Sequence, residues 1–164
     1  ASAGCLRRGG LSEGLPSMDL CGAARGHWSC LFCTKGRGCG LLKRLLVEIG
    51  SGVDQHGQDP TKAAVKAVKD AVQRVCIVGL KEVVGLENLD DMVVEIVVAV
   101  PRAEMVEEAA VLSAIPYGRK TLRRVEGGMI ARGVAIPGLD DGCDDILVAN
   151  AAVTVMVEEH NPWR

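Results

Sequence analysis

The run Met92-Val93-Val94-Glu95-Ile96-Val97-Val98-Ala99-Val100 does most to limit what this 164-residue chain can fold into. It is apolar in both phases of a strand apart from Glu95. At about nine residues it falls far short of the ~20 that a membrane-spanning helix needs. It reads instead as a central strand buried on both faces, which demands a sheet with neighbours on either side and a covering layer. Glu95 is the exception in it. A carboxylate on such a strand must be paired, protonated or functional, and a place near a sheet edge or beside a lysine or arginine is the simplest outcome.

The covering layer has a strong source in residues 60–75. Asp59 suits a helix N-cap and Pro60 the first helical position. Ala64, Val68, Ala71, Val72 and Val75 make one apolar stripe, with Lys62, Lys66, Lys69 and Gln73 turned away from it. The alanines allow close approach to a sheet. Before this helix, Leu41–Ile49 reads as a strand with Glu48 on the face opposite Val47 and Ile49. After it, residues 76–89 read as loop with at most a short turn. A second helix is expected over 102–114, opened by Pro101 and ended by Pro116-Tyr117-Gly118. Strands follow at 119–125, 129–136 and 146–157, with turns at Gly127-Gly128 and at the acidic stretch 137–145.

The order β-α-β-α-β-(β)-β predicts an α+β two-layer sandwich, two helices on one face of a mixed sheet of four or five strands. The crossover rule makes the first two strands parallel if they share that sheet. One helical layer leaves the other face needing cover. With Ala149, Ala151, Val153 and Val155 assigned to that face, the expectation is a homo-oligomer.

Composition divides the chain. Residues 1–40 hold Cys5, Cys21, Cys30, Cys33 and Cys39 and are basic, while the body is acidic and the whole carries a formal charge of −2. The prefix has no periodicity and few acids, as organellar transit segments do, which would place the protein in a plastid or other organelle and otherwise in the cytoplasm. Within it, His27, Cys30, Cys33 and Cys39 are four potential zinc ligands, although cramped ones. The organisation expected is a prefix over 1–40, one domain over 41–160 and a tail over 161–164. An acidic body with only 2% aromatic residues argues against nucleic-acid partners, and no run is long enough for the membrane.

The chemistry concentrates in Gly50-Ser51-Gly52-Val53-Asp54-Gln55-His56-Gly57-Gln58-Asp59, read as a loop between the first strand and the first helix. A glycine-rich turn leading into a helix N-terminus is an anion-binding arrangement. It is neither a dinucleotide fingerprint, since Gln55 stands where the third glycine is required, nor a phosphate loop, so no nucleotide cofactor is expected. In an extended loop Asp54 and His56 project to one side. They can then act as an acid/base pair, ligate a divalent metal with Glu48 or Glu95 as third ligand, or brace the turn. Gly50, Ser51, Gly52, Gly57 and Lys62 are the candidate ligand-binding residues and a small anionic metabolite the candidate partner. Elsewhere, Asp140-Asp141-Gly142-Cys143-Asp144-Asp145 lacks calcium-loop spacing and reads as a solvated acidic turn. Arg119, Lys120, Arg123 and Arg124 read as a surface strand that would meet an anion only if its end approaches the loop.

The string Gly50-x-Gly52-x-Asp54-x-His56-Gly57 resembles in full the G-x-G-x-D-x-H-G signature of a small family of conserved hypothetical proteins first defined on a Listeria protein. Gln58-Asp59-Pro60-Thr61-Lys62-Ala63-Ala64 and Pro116-Tyr117-Gly118 are similar to that family too, over about residues 43–158. Plant-type members carry an N-terminal prefix. The resemblance implies that Gly50, Gly52, Asp54, His56 and Gly57 are site residues, and it brings no reaction with it. Three expectations stand: an enzyme using Asp54 and His56 on a small anionic metabolite, a non-catalytic metabolite-binding module, and a structural oligomer.

Overall fold

The computed structural model describes residues 42–158 apart from Ile77, all within the unit that spans residues 41–164. The prefix with its His27, Cys30, Cys33 and Cys39 set, and the tail over 161–164, lie outside the described residues. The elements are β1 (Leu42–Asp54), α1 (Pro60–Gln73), α2 (Val78–Glu82), β2 (Val93–Val100), α3 (Glu108–Leu112), β3 (Arg119–Glu126), β4 (Met129–Arg132) and β5 (Asp145–Glu158). Among the described residues no helix is long and apolar enough to cross a membrane.

The fold is α+β, with a mixed five-stranded sheet in the order β1-β5-β2-β3. β5 is antiparallel to both β1 and β2, so those two run parallel without touching, and β2 pairs parallel with β3. Val148 pairs with Val53 of β1 on one side and with Met129 of β4 on the other, so β4 continues the line of β2 along β5. α1 packs across β1, β5 and β2, with Ala63, Ala64, Ala67, Val68 and Ala71 fully buried. Val94, Ile96, Val98 and Val100 meet that layer, while Val93, Glu95, Val97 and Ala99 are half-buried on the opposite face. Glu95 therefore lies on the uncovered face between Thr154 and Thr121, not in the core.

Several boundaries differ from the expectation. The first strand does not stop at Ile49 but runs on to Asp54, paired with β5 as far as Leu147. Its glycines are strand residues lying under α1, so the turn to the helix shrinks to residues 55–59. The stretch expected as loop before β2 contains α2. The second helix breaks into a 3-10 turn over Ala103–Met105 and the short α3, with Arg102 in the left-handed region and Val106 extended. The break is stabilised from three sides. Glu126 accepts from the Arg102 and Ala103 N–H groups, Arg124 donates to the Val106 carbonyl, and the Glu107 N–H donates to Thr61 Oγ1.

The phase of β5 is the reverse of the one read from the sequence. Ala149, Ala151, Val153 and Val155 are buried under the helices, and Val148, Asn150, Ala152, Thr154 and Met156 form the other face. Small apolar residues in both phases make the two orientations hard to tell apart, and a shift of one residue exchanges every side chain. The uncovered face is still apolar, through β1: Val47, Ile49 and Val53 are 50%, 57% and 39% exposed. Across it run the rows Ile49–Ala152–Val97 and Val53–Val148–Met129.

Candidate functional site

The signature begins as packing. A Cβ on Gly50 would lie 2.2 Å from the Ala67 carbonyl oxygen, and one on Gly52 2.2 Å from that of Ala63. Hydrogen at these two positions lets the helix backbone rest directly on β1, opposite the alanine stripe of α1. That side of both glycines is closed by protein. Ser51 points the other way, its hydroxyl 3.1 Å from Asn150 Oδ1 on the neighbouring strand.

Along the outer edge of β1, one row of α1 side chains meets the backbone groups that no strand pairs. The Lys66 ammonium donates to the Val53 carbonyl at 2.7 Å, the Asp70 carboxylate accepts from the Ser51 N–H at 2.9 Å, and Arg74 Nη2 donates to the Ile49 carbonyl at 3.0 Å. Spacing of four places all three on one helix face. They close this part of the sheet edge to another strand.

Asp54, 3% exposed, ends β1 beneath the first turns of α1. One carboxylate oxygen accepts the Asp59 N–H at 3.0 Å and the other the Lys66 ammonium at 3.1 Å. Asp59 in turn caps the helix, accepting from the Thr61 and Lys62 N–H groups. The helix N-terminus expected to cradle an anion is thus occupied by the chain's own carboxylate.

His56 does not meet Asp54. Its Nδ1 lies 3.0 Å from Asp141 Oδ2, on the acidic stretch that reads as a solvated turn in the sequence. Asp141 is not solvated: its side chain is 2% exposed, against 37% for His56. It also accepts the N–H groups of Ile136 at 2.8 Å and Gly57 at 3.2 Å. The Ile136 N–H holds its carboxyl below the ordinary 3.8 against the desolvation of the group, and His56 and Gly57 add to the lowering. An ionised carboxylate only accepts, so Nδ1 is the donor in this pair, and Nε2 has no partner among the described residues.

Gln58 completes the junction. It is buried in the left-handed region at φ 50°, a conformation that costs a non-glycine residue about 1 kcal/mol. Its amide donates to the Cys143 and Asp145 carbonyls and accepts from the Gly142 N–H at 3.0 Å, which holds it there. Asp141 and Gln58 are the two residues that sequence reasoning missed. Lys62 stays exposed, its ammonium 4.0 Å from the Asp59 carboxylate and beside Gly57, and it alone among the expected ligand residues carries a charge. Glu48 lies six residues up β1 from Asp54, about 20 Å away at strand spacing, and so is not a third ligand beside Asp54 and His56. Glu95 is on the opposite face of the sheet. Among the described residues no three His, Cys, Asp or Glu side chains converge closely enough to hold a metal ion.

No curated protein matches the chain. Among solved structures it is similar to an FtsZ-like protein of unknown function from Nostoc punctiforme PCC 73102, with 49% identity and a TM-score of 0.67 over 73% of this chain and 99% of that one. A family model described as conserved hypothetical protein (Lin0512 family) matches residues 44–155, which take in the whole signature, its helix, β2, β3 and β4, and most of β1 and β5. The chain belongs to the Lin0512 family of conserved hypothetical proteins.

Proposed function

We propose that this chain is a self-associating structural module, in which the G-x-G-x-D-x-H-G segment is a clasp and the uncovered sheet face meets a second copy. One observation carries the reading: Gly50, Gly52, Asp54, Gln58 and Asp59 each serve an internal contact that joins β1, α1 and the 133–145 loop. Lys66, Asp70 and Arg74 close the Ile49–Val53 part of the edge of β1, and the exposed Val47, Ile49 and Val53 make the face the surface for association. The test is Ile49→Glu. With Ile49 more than half exposed, the monomer should keep its fold, and light scattering behind size exclusion should show the assembly fall to single chains. An unchanged mass for both this variant and Val47→Lys would sink the reading.

A second reading has its own support, an acid/base site on a small anionic metabolite. His56 is oriented by a buried carboxylate through Nδ1 with Nε2 turned outward, and Lys62 lies close enough to Gly57 to hold a carboxylate or phosphate. If it is right, His56→Ala should abolish turnover in a metabolite screen, and Asp141→Asn should lower it about 10²-fold or more. Both proteins should remain folded by circular dichroism. If the clasp reading holds instead, the two variants change thermal stability alone.

A further inference from the structure

Four basic residues lie on β3, and three of them are engaged. Lys120 and Arg124 donate to the Ile115 and Val106 carbonyls, and Arg119 donates to the Asp91 carbonyl and stands 3.8 Å from Glu158. Arg123 is the exception. It is exposed on the uncovered face beside Val97, and no hydrogen bond or ion pair joins it to another described residue. Glu95 shares this condition on the same face, half-buried between Thr121 and Thr154 with no partner among the described residues. The two lie one strand and two residues apart, roughly 8 Å, so the face carries one charge of each sign near its middle.

We propose that two copies of the chain stack these faces about a two-fold axis, with Glu95 of each paired to Arg123 of the other. The inference rests on the self-association proposed above and adds its register. A two-fold contact is self-complementary: if one residue meets a second, the second meets the first. A face bearing both signs satisfies that condition with its own copy, whereas a partner of uniform charge would answer only one of them. The axis must cross the line from Glu95 to Arg123 at its midpoint, at right angles and within the plane of contact. On an ideal sheet it then passes over Val97 and Ala152, in the row that Ile49 completes, so small and aliphatic side chains fill the centre. Arg44, opposite Met156 near the start of β1, falls outside the overlap. Stacking takes water from Glu95, and an unpaired carboxylate would oppose it. The planar fork of arginine answers that group with two hydrogen bonds.

The test follows the mass of the full chain by light scattering behind size exclusion and by native mass spectrometry, with folding checked by circular dichroism. Glu95→Arg and Arg123→Glu each set like charges together at both pairs, so each alone should self-associate at least tenfold more weakly. Mixed in equal amounts, the two variants should form a heterodimer within a few-fold of the parent affinity, because both pairs are then complementary. The doubly exchanged chain, Glu95→Arg with Arg123→Glu, should recover self-association too. Arg44→Glu is the control and should leave it unchanged; an equal loss there would mark general sensitivity to charge and overturn the register. The proposal is also overturned if either single exchange associates like the parent, or if the mixture fails to recover. Recovery by the doubly exchanged chain alone would place the pair within one copy. If Ile49→Glu separates the copies while the charge exchanges leave them together, the face reading stands and this register is wrong. A parent chain that stays single at every concentration overturns both.

Discussion

Replacing Gly52 by alanine is expected to destabilise the fold by on the order of 3 kcal/mol, the upper part of the range for overpacking a core. One methyl group has this effect because of what it meets. The new Cβ would lie 2.2 Å from the Ala63 carbonyl oxygen and 2.3 Å from the Ala67 nitrogen, and both atoms are helix backbone that no rotamer change can move aside. Relief requires α1 to lift from β1, which loosens the fully buried contacts of Ala63, Ala67 and Val68 and stretches the Lys66, Asp70 and Arg74 bonds to the edge of β1. Gly50→Ala should behave alike, against Ala67 and Ala71. Gly79→Ala, on α2 with nothing within 4 Å of its new methyl, is the control and should be neutral or stabilising by about 0.5–1 kcal/mol. Urea unfolding followed by circular dichroism separates the cases. A Gly52→Ala protein as stable as the parent would mean that the helix does not rest on the strand as described.

The same contact explains what the sequence disclosed and what it hid. The capped helix was legible because Asp59, Pro60 and the small-residue stripe all act within a few positions of one another. The central strand was legible from an apolar run broken only by Glu95, although just one of its faces is buried and the other is half-buried, and the mixed sheet followed from the order of elements. The strand nature of Gly50–Asp54 was hidden, since glycine in a sequence signals a turn more often than close approach of a helix. The break in the second helix was hidden as well, because Thr61, Arg124 and Glu126 impose it from distant parts of the chain. The signature was found as a region and misjudged in its pairings. Asp141 and His56 are 85 residues apart, and Gln58 reaches equally far to Cys143. Nothing local distinguishes Asp141 from the acids around it. Only the fold shows that its side chain is the one turned inward.

Asp54 separates a clasp from a catalytic carboxylate by the size of a stability loss. Asp54→Ala should cost about 2–3 kcal/mol, because it leaves the part-buried Asp59 N–H without its acceptor and removes the anchor of Lys66 together. Asp54→Asn should cost nearer 1 kcal/mol: the amide oxygen can still accept from Asp59, and Lys66, half exposed, keeps the Val53 carbonyl and water. For a domain of this size the alanine variant should melt roughly 10 °C lower. The loss should be largely shared with Lys66→Met in a double-mutant cycle, because the two side chains are in direct contact. A catalytic Asp54 predicts the opposite order, with the asparagine variant folded like the parent and inactive. The geometry favours the first outcome, since both oxygens of this carboxylate are already engaged by β1's own continuation into α1. His56 has one nitrogen turned outward, and Asp54 has no comparable atom to offer a substrate.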